Sequence, residues 1–206
     1  AARMRTRTRG ALTVPLVIRV PVGGGIHAPE LHSDSPEAIY THNPGLKVVM
    51  PSSPRDAKGL LLSAIRDPDP VIFFEPKRIY RAFREEVPED EYTIPIGKAR
   101  MVREGSELTM VSWGASVIQC MNAIEQSGRD IELIDLRTIS PFDMETVSES
   151  VRRTGRAIVV HEAPLSCGLG SEIASRIMEE CFLHLEAPVQ RVTGFDTIMP
   201  YYKLEL

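Results

Sequence analysis

The side chains best suited to chemistry in this chain of 206 residues are crowded near its start. The stretch GGGIHAPELHSDSPEA (residues 23–38) holds three glycines, His27, His32 and a Ser-Asp-Ser-Pro turn, directly after the apolar run VPLVIRV. Loops at strand ends are where folds place function. His32 precedes Ser33-Asp34-Ser35-Pro36, where a helix start disfavours imidazolium while Glu30 and Asp34 favour it. A histidine held between such influences exchanges protons near neutral pH, as a general acid–base must. An ordinary histidine in a surface loop is the competing interpretation, and it is stronger for His27 and His42.

The other candidate motifs are less specific. GGG after a strand is neither a G-x-G-x-x-G fingerprint nor a G-x-x-x-x-G-K-[ST] loop, so it reads as a turn that lets the backbone approach a ligand or partner. Ser33 and Ser35 lack the G-x-S-x-G setting of a serine nucleophile. His161-Glu162, at the end of the AIVV run, is either catalytic or a satisfied polar pair. Asp67 and Asp69 flank Pro68 after a helical pattern. There, outward carbonyls and two carboxylates would suit a hard cation, or would simply stop a helix at the surface.

The elements that must position these residues alternate between strand and helix. VPLVIRV, LKVVM and VIFFE are short apolar runs of the kind buried in a parallel sheet. Ser35-Pro36-Glu37 reads as one helix start, with serine as N-cap and proline at the first position. Ser53-Pro54, with Asp56 as an approximate capping box, opens a second helix that ends at Asp67-Pro68. The acidic, proline-containing REEVPEDEYTIP has no core pattern and reads as a boundary. Beyond it, LTMVSW, IELIDL, AIVVHE and VQRV read as strands. SVIQCMNAIEQ (ended by Gly128), DMETVSESV (capped near Ser140-Pro141) and SEIASRIMEECF read as helices. The fold class is therefore α/β, organised as residues 1–85, a linker at 86–95, and residues 96–206. The first half has few strands for an open parallel sheet, so the chain is expected to start within a domain, with about a hundred residues preceding it.

Composition excludes several classes. Hydrophobic residues at 43% and charged residues at 25% are ordinary globular values. A net charge of −4 gives no electrostatic case for nucleic acid or an anionic membrane, and RMRTRTRG reads as an edge segment. No apolar run approaches a membrane span. Cys120, Cys167 and Cys181 are an odd number without a paired-ligand spacing, so neither a disulfide framework nor a zinc site is indicated, and the chain reads as a reduced, intracellular protein.

Taken together, HSDSPEAIYTHNPGLKVVMPSSPRDAKGLLLSAIRDPDPVIFFEPKRIYR, IDLRTISPFD, VRRTGRAIVVHEAP and APVQRVTGFDT resemble the β subunits of the thiamine-diphosphate-dependent 2-oxoacid dehydrogenases, over essentially the whole chain. The resemblance implies the latter part of a pyrimidine-binding, transketolase-like domain followed by a transketolase-type C-terminal domain. It also implies an α2β2 heterotetramer whose α subunit holds magnesium and the diphosphate of thiamine diphosphate, and a lipoyl acyltransferase core as partner. Such an enzyme is active only with its α subunit and is cytoplasmic, or in the mitochondrial matrix of a eukaryote. His32 matches the histidine of the family motif H-S-Q-S-P-E, which assists acyl transfer to the lipoyl group. Asp34 replaces that motif's glutamine, and Leu31 an aromatic residue that often precedes the histidine. The glutamate that engages the aminopyrimidine belongs upstream, so no cofactor-binding residue is assigned to this chain. A structural potassium ion of the family would be held by the carbonyls of Leu16, Val17 and Ala64 and the carboxylates of Asp67 and Asp69, with Val14 where a glycine is common. FFEPKRIYR, HEAPL and EECFLHLEAP look closer to branched-chain than to pyruvate enzymes. The expected activity is thus oxidative decarboxylation of branched-chain 2-oxo acids. The alternatives are a pyruvate dehydrogenase β subunit, or a non-catalytic scaffold that organises the α chain and the acyltransferase core.

Overall fold

Three apolar-rich runs in the first half pair in parallel within one sheet, the most fully apolar of them at its middle. The computed structural model describes residues 1–28 and 32–200. After a short helix α1 (Met4–Arg7), β1 (Val17–Val22), α2 (Glu37–Thr41), β2 (Lys47–Val49), α3 (Pro54–Arg66) and β3 (Val71–Pro76) follow in order. β3 lies between β1 and β2, parallel to both, and Val71, Ile72, Phe73 and Phe74 are buried along it. α3 starts as its sequence indicates: Ser53 Oγ accepts the Asp56 N–H at 3.2 Å, with Pro54 in the first turn. α2 departs from expectation. It begins at Glu37 with Pro36 at the cap, no side chain caps it, and it lasts five residues.

The second half contains β4 (Arg100–Arg103), β5 (Leu108–Ser112), α4 (Ser116–Ser127), β6 (Ile131–Asp135), β7 (Thr138–Ser140), α5 (Met144–Thr154), β8 (Ala157–Pro164), α6 (Leu169–Cys181) and β9 (Gln190–Gly194). Five of its strands form a sheet in the order β4-β6-β5-β8-β9, antiparallel only at β4. α4 ends at Gly128, whose φ of 64° is left-handed backbone that glycine adopts without steric cost. α5 is capped just beyond Ser140-Pro141 by Asp143, which accepts the Thr146 N–H at 3.3 Å; Ser140 itself ends β7.

β7 leaves its own half and pairs antiparallel with β2, completing the first sheet in the order β1-β3-β2-β7. A single apolar cluster accordingly runs through both halves, from Val22, Val48, Met50 and Phe74 to Trp113, Ile134, Leu136 and Val159. The acidic segment after β3 is pinned along α3. Tyr92 and Ile94 pack on that helix, and Lys58 Nζ donates to the Glu89 and Asp90 carbonyls at 3.0 Å. Gly59 makes the approach possible, since a Cβ there would lie 2.6 Å from Ile94. No helix among the described residues is long and apolar enough to cross a membrane.

Candidate active site

β1 delivers the glycine loop to the seam between the two sheets. The Gly23 N–H donates to the Asp34 carbonyl at 2.9 Å, which closes the loop at its base. The Gly24 N–H donates to Glu162 Oε1 at 2.8 Å, tying the same turn to β8. Gly23 has a φ of 94°, and a Cβ on it would lie 3.1 Å from Glu162 Oε2, so both conformation and space call for glycine. Further along, the buried Ser33 hydroxyl donates to the Ala28 carbonyl at 2.8 Å. His32 is exposed between these fixed points, while His27 and His42 are exposed elsewhere. The Leu31 and Glu30 features of the sequence lie outside the described residues, as does the terminal YYKLEL.

Ser33, Asp34 and Ser35, the three residues after His32, line a cleft of about 910 Å³. Glu162, Pro164, Asp196, Phe195 and Ile198 form much of its other wall. Asp196 is fixed by Ser166, whose N–H and hydroxyl donate to it at 2.9 and 2.6 Å, and these bonds hold its carboxyl below its ordinary range. The cleft thus combines apolar walls with three carboxylates, those of Asp34, Glu162 and Asp196.

Behind the loop lies a layer that the sequence did not reveal. The Trp113 indole N–H donates to Glu37 Oε1 at 3.2 Å, and the indole stacks on His161 with centroids 5.1 Å apart and planes 13° from parallel. Glu37, Trp113 and His161 are all at most 3% exposed. Burial pushes the Glu37 carboxyl up and the His161 imidazole down to about 4, so the neutral form of each is favoured. Of the pair His161-Glu162, the histidine is therefore a buried packing residue, while the glutamate reaches the loop. Strand alternation, inward at 161 and outward at 162, was the available signal.

The oxygen cluster suggested at Asp67 and Asp69 is brought together, but around cationic side chains. Lys47 Nζ lies 2.7 and 2.6 Å from the two Asp67 oxygens and 3.7 Å from Asp69. Arg5 Nε lies 2.6 Å from Asp69 and holds that carboxyl below its ordinary range. The Leu16 carbonyl accepts the Val71 N–H at 2.8 Å, and the Ala64 carbonyl accepts the Asp67 N–H at 3.3 Å. Val17 stands at the start of the outer strand β1. Among the described residues, no group of three or more His, Cys, Asp and Glu is placed to hold a metal ion.

Comparison with known proteins agrees with this architecture. Residues 1–82 match the sequence model of the transketolase pyrimidine-binding domain, and residues 97–206 that of the transketolase C-terminal domain. The pyruvate dehydrogenase E1 component subunit beta of Mycoplasma genitalium is 56% identical over 203 residues, covering 97% of this chain and 62% of the relative. The protein of the same name in Bacillus subtilis is 51% identical over 207 residues, covering 99% and 64%. This chain thus spans somewhat under two thirds of those relatives. A solved structure described as a split gene transketolase, inactive beta4 tetramer, superposes with a TM-score of 0.71 at 23% identity, over 95% of this chain and 63% of the other, which shows a shared fold. With both domain models matched in chain order over nearly its full extent, this chain belongs to the transketolase family.

Proposed function

We propose that the chain is the β subunit of a thiamine-diphosphate-dependent pyruvate dehydrogenase, working with an α subunit in an α2β2 heterotetramer and passing its acetyl group to a lipoyl acyltransferase core. The observation that carries this reading is the 56% identity over 203 residues with a pyruvate dehydrogenase E1 β chain. The same likeness favours pyruvate over the branched-chain substrate expected from FFEPKRIYR, HEAPL and EECFLHLEAP. Packing explains why those segments are poor guides. Phe73 and Phe74 are buried in the core, Phe182 and Leu183 are exposed, and of HEAPL only Glu162 and Pro164 line the cleft beside the His32 loop.

The residues present suit one end of the cofactor. Asp34, Glu162 and Asp196 would stabilise a cationic ring in that cleft and repel a diphosphate, in keeping with the family resemblance, which gives the diphosphate and its magnesium to the α subunit. Thiamine diphosphate, when bound, supplies the electron sink for loss of the carboxyl group. This chain contributes His32, held on a loop fastened on both sides, to give and take the proton that accompanies acyl transfer.

The test uses the full-length chain assembled with its α partner. Pyruvate is expected to exceed 3-methyl-2-oxobutanoate in kcat/KM by about tenfold or more, since a few methylenes give only about 1–3 kcal/mol of discrimination each. The reverse preference would restore the branched-chain assignment. His32→Ala should lower lipoyl acylation by about 10²-fold or more, with a smaller loss of decarboxylation measured with an artificial electron acceptor. No loss in either assay would favour the scaffold reading.

A further inference from the structure

The loop bearing His32 has an anchor on each side, and the downstream one is unusual. Upstream, Gly24 is bonded to Glu162. Downstream, Ser35 and Pro36 lead into Glu37, which is only 2% exposed at the start of a five-residue helix. Burying a carboxyl is costly unless its bonds require it, and a helix this short gains little from an acid in its first turn. Glu37 is spent instead on a distant group, the Trp113 indole at the end of β5, 76 residues along the chain.

That group is itself immobile. Trp113 is 2% exposed within the cluster that unites the halves, and its other face is covered by His161 from β8. The cavity between Glu37, Trp113 and Glu162 is about 10 Å³, the lower limit for one water molecule. A charge on Glu37 would therefore go largely unsolvated, and the Glu162 carboxylate opposes it further. A neutral carboxyl bonded to the indole fits this space.

We propose that Glu37 is a positioning residue for His32: through its bond to Trp113 it fixes the downstream end of the loop against the second half of the chain. This rests on the reading of His32 given above. His32 is five residues from the anchor, with Pro36 removing slack from the intervening turn. A misplacement of about an ångström at a reacting group costs up to about 10²-fold in rate.

The experiment compares Glu37→Ala, Glu37→Gln, Trp113→Phe and His32→Ala in the full-length chain assembled with its α partner. Glutamine keeps a carbonyl acceptor for the indole and is neutral, so it should restore activity to within about threefold of wild type. Glu37→Ala and Trp113→Phe should each lower lipoyl acylation about tenfold while the artificial-acceptor assay falls less than threefold. A second readout needs no activity: with the β chain labelled by 5-fluorotryptophan, the ¹⁹F resonance assigned by Trp113→Phe should move in Glu37→Ala and stay in place in Glu37→Gln. Should Glu37→Ala fail to assemble, Trp113→Phe carries the kinetic arm. Equal losses in both assays, a glutamine variant as poor as alanine, or an unmoved resonance in Glu37→Ala would each overturn the proposal. His32→Ala without effect on acylation would fault the reading of His32, and the resonance would still decide the Glu37–Trp113 contact.

Discussion

Glu162 Oε1 accepts the Gly24 N–H at 2.8 Å, joining residues 138 apart in sequence and securing the loop that follows β1 to β8 of the other sheet. A side chain bonded to a backbone N–H holds a turn in place without restricting the groups that protrude from it. His32 is thereby carried on a loop that is closed at its base and exposed at its working position.

Gly24→Ala should disturb this arrangement without unfolding the chain. The added Cβ would press on the Met199 side chain and lie 3.0 Å from Glu162 Oε1, so the loop or the glutamate must shift. Lipoyl acylation is expected to fall about tenfold, with a melting temperature lower by about 2–4 °C. Glu162→Gln, which keeps an acceptor, should be milder than Glu162→Ala. If Gly24→Ala is silent in the acylation assay, the loop is not positioned by this contact.

A second group of bonds joins the halves. Arg137 lies 3.1 Å from Asp56 of α3 and donates to the Lys98 and Ala99 carbonyls at 3.1 and 3.0 Å. Arg100 reaches both Asp56 and Asp135, at 3.3 and 3.4 Å. Asp56 and Asp135 are at most 2% exposed, so removing one partner leaves buried charge. Arg137→Ala should cost about 3 kcal/mol, seen as a melting temperature lower by about 6–12 °C. Arg137→Lys should not rescue it, because one ammonium cannot serve a carboxylate and two carbonyls in that fork. A lysine variant as stable as wild type would reduce this network to simple charge neutralisation.

Most of the strands and α3 were legible in the sequence because their signals are local: short apolar runs at β3 and β6, and Ser53-Pro54-x-Asp56 at α3. β4 and β7 were not. RMVR mixes charge with apolar residues at a sheet edge, and Thr138–Ser140 becomes a strand only by pairing with β2 from the other half. Asp143 outcompeted Ser140 as a cap because Ser140 is held in that pairing. At the site, His32 stood out from its own neighbours. Glu37 looked like an ordinary acid in a first helical turn, since the partner that gives it a role, Trp113, comes from just beyond β5.

Stability should fall on the acid side through His161. Its folded pKa of about 4, lowered by burial and by the Arg191 charge, lies below the unfolded value of about 6.5. The unfolded chain therefore binds the proton first, and the contribution of neutral His161 is complete above about pH 6.5 and lost as the pH falls toward 4. Asp135, pushed up to about 6 by burial, acts in the opposite sense, its contribution fading as the pH rises through 6. His161→Phe preserves a ring against Trp113 and removes only the first of these. Between pH 7 and pH 5, wild type should lose about 2 kcal/mol more than the variant, or about 4–8 °C in melting temperature. Parallel melting curves across that range would show that His161 is not held neutral.

Lys47 raises the last question, whether a monovalent cation shares the Asp67–Asp69 cluster. Its ammonium contacts both Asp67 oxygens, Arg5 covers Asp69, and the Leu16 and Ala64 carbonyls already accept backbone N–H groups. A potassium ion would have to displace an ammonium that is part-buried and matched in charge. Exchanging sodium for potassium chloride at equal ionic strength is therefore expected to leave the melting temperature of wild type unchanged. Lys47→Met removes the ammonium and leaves Asp67 without it, so the same exchange should raise the melting temperature of that variant by a few degrees, as binding to the folded state alone requires. A potassium-specific rise in wild type would show that the ion, and not Lys47, holds the two carboxylates.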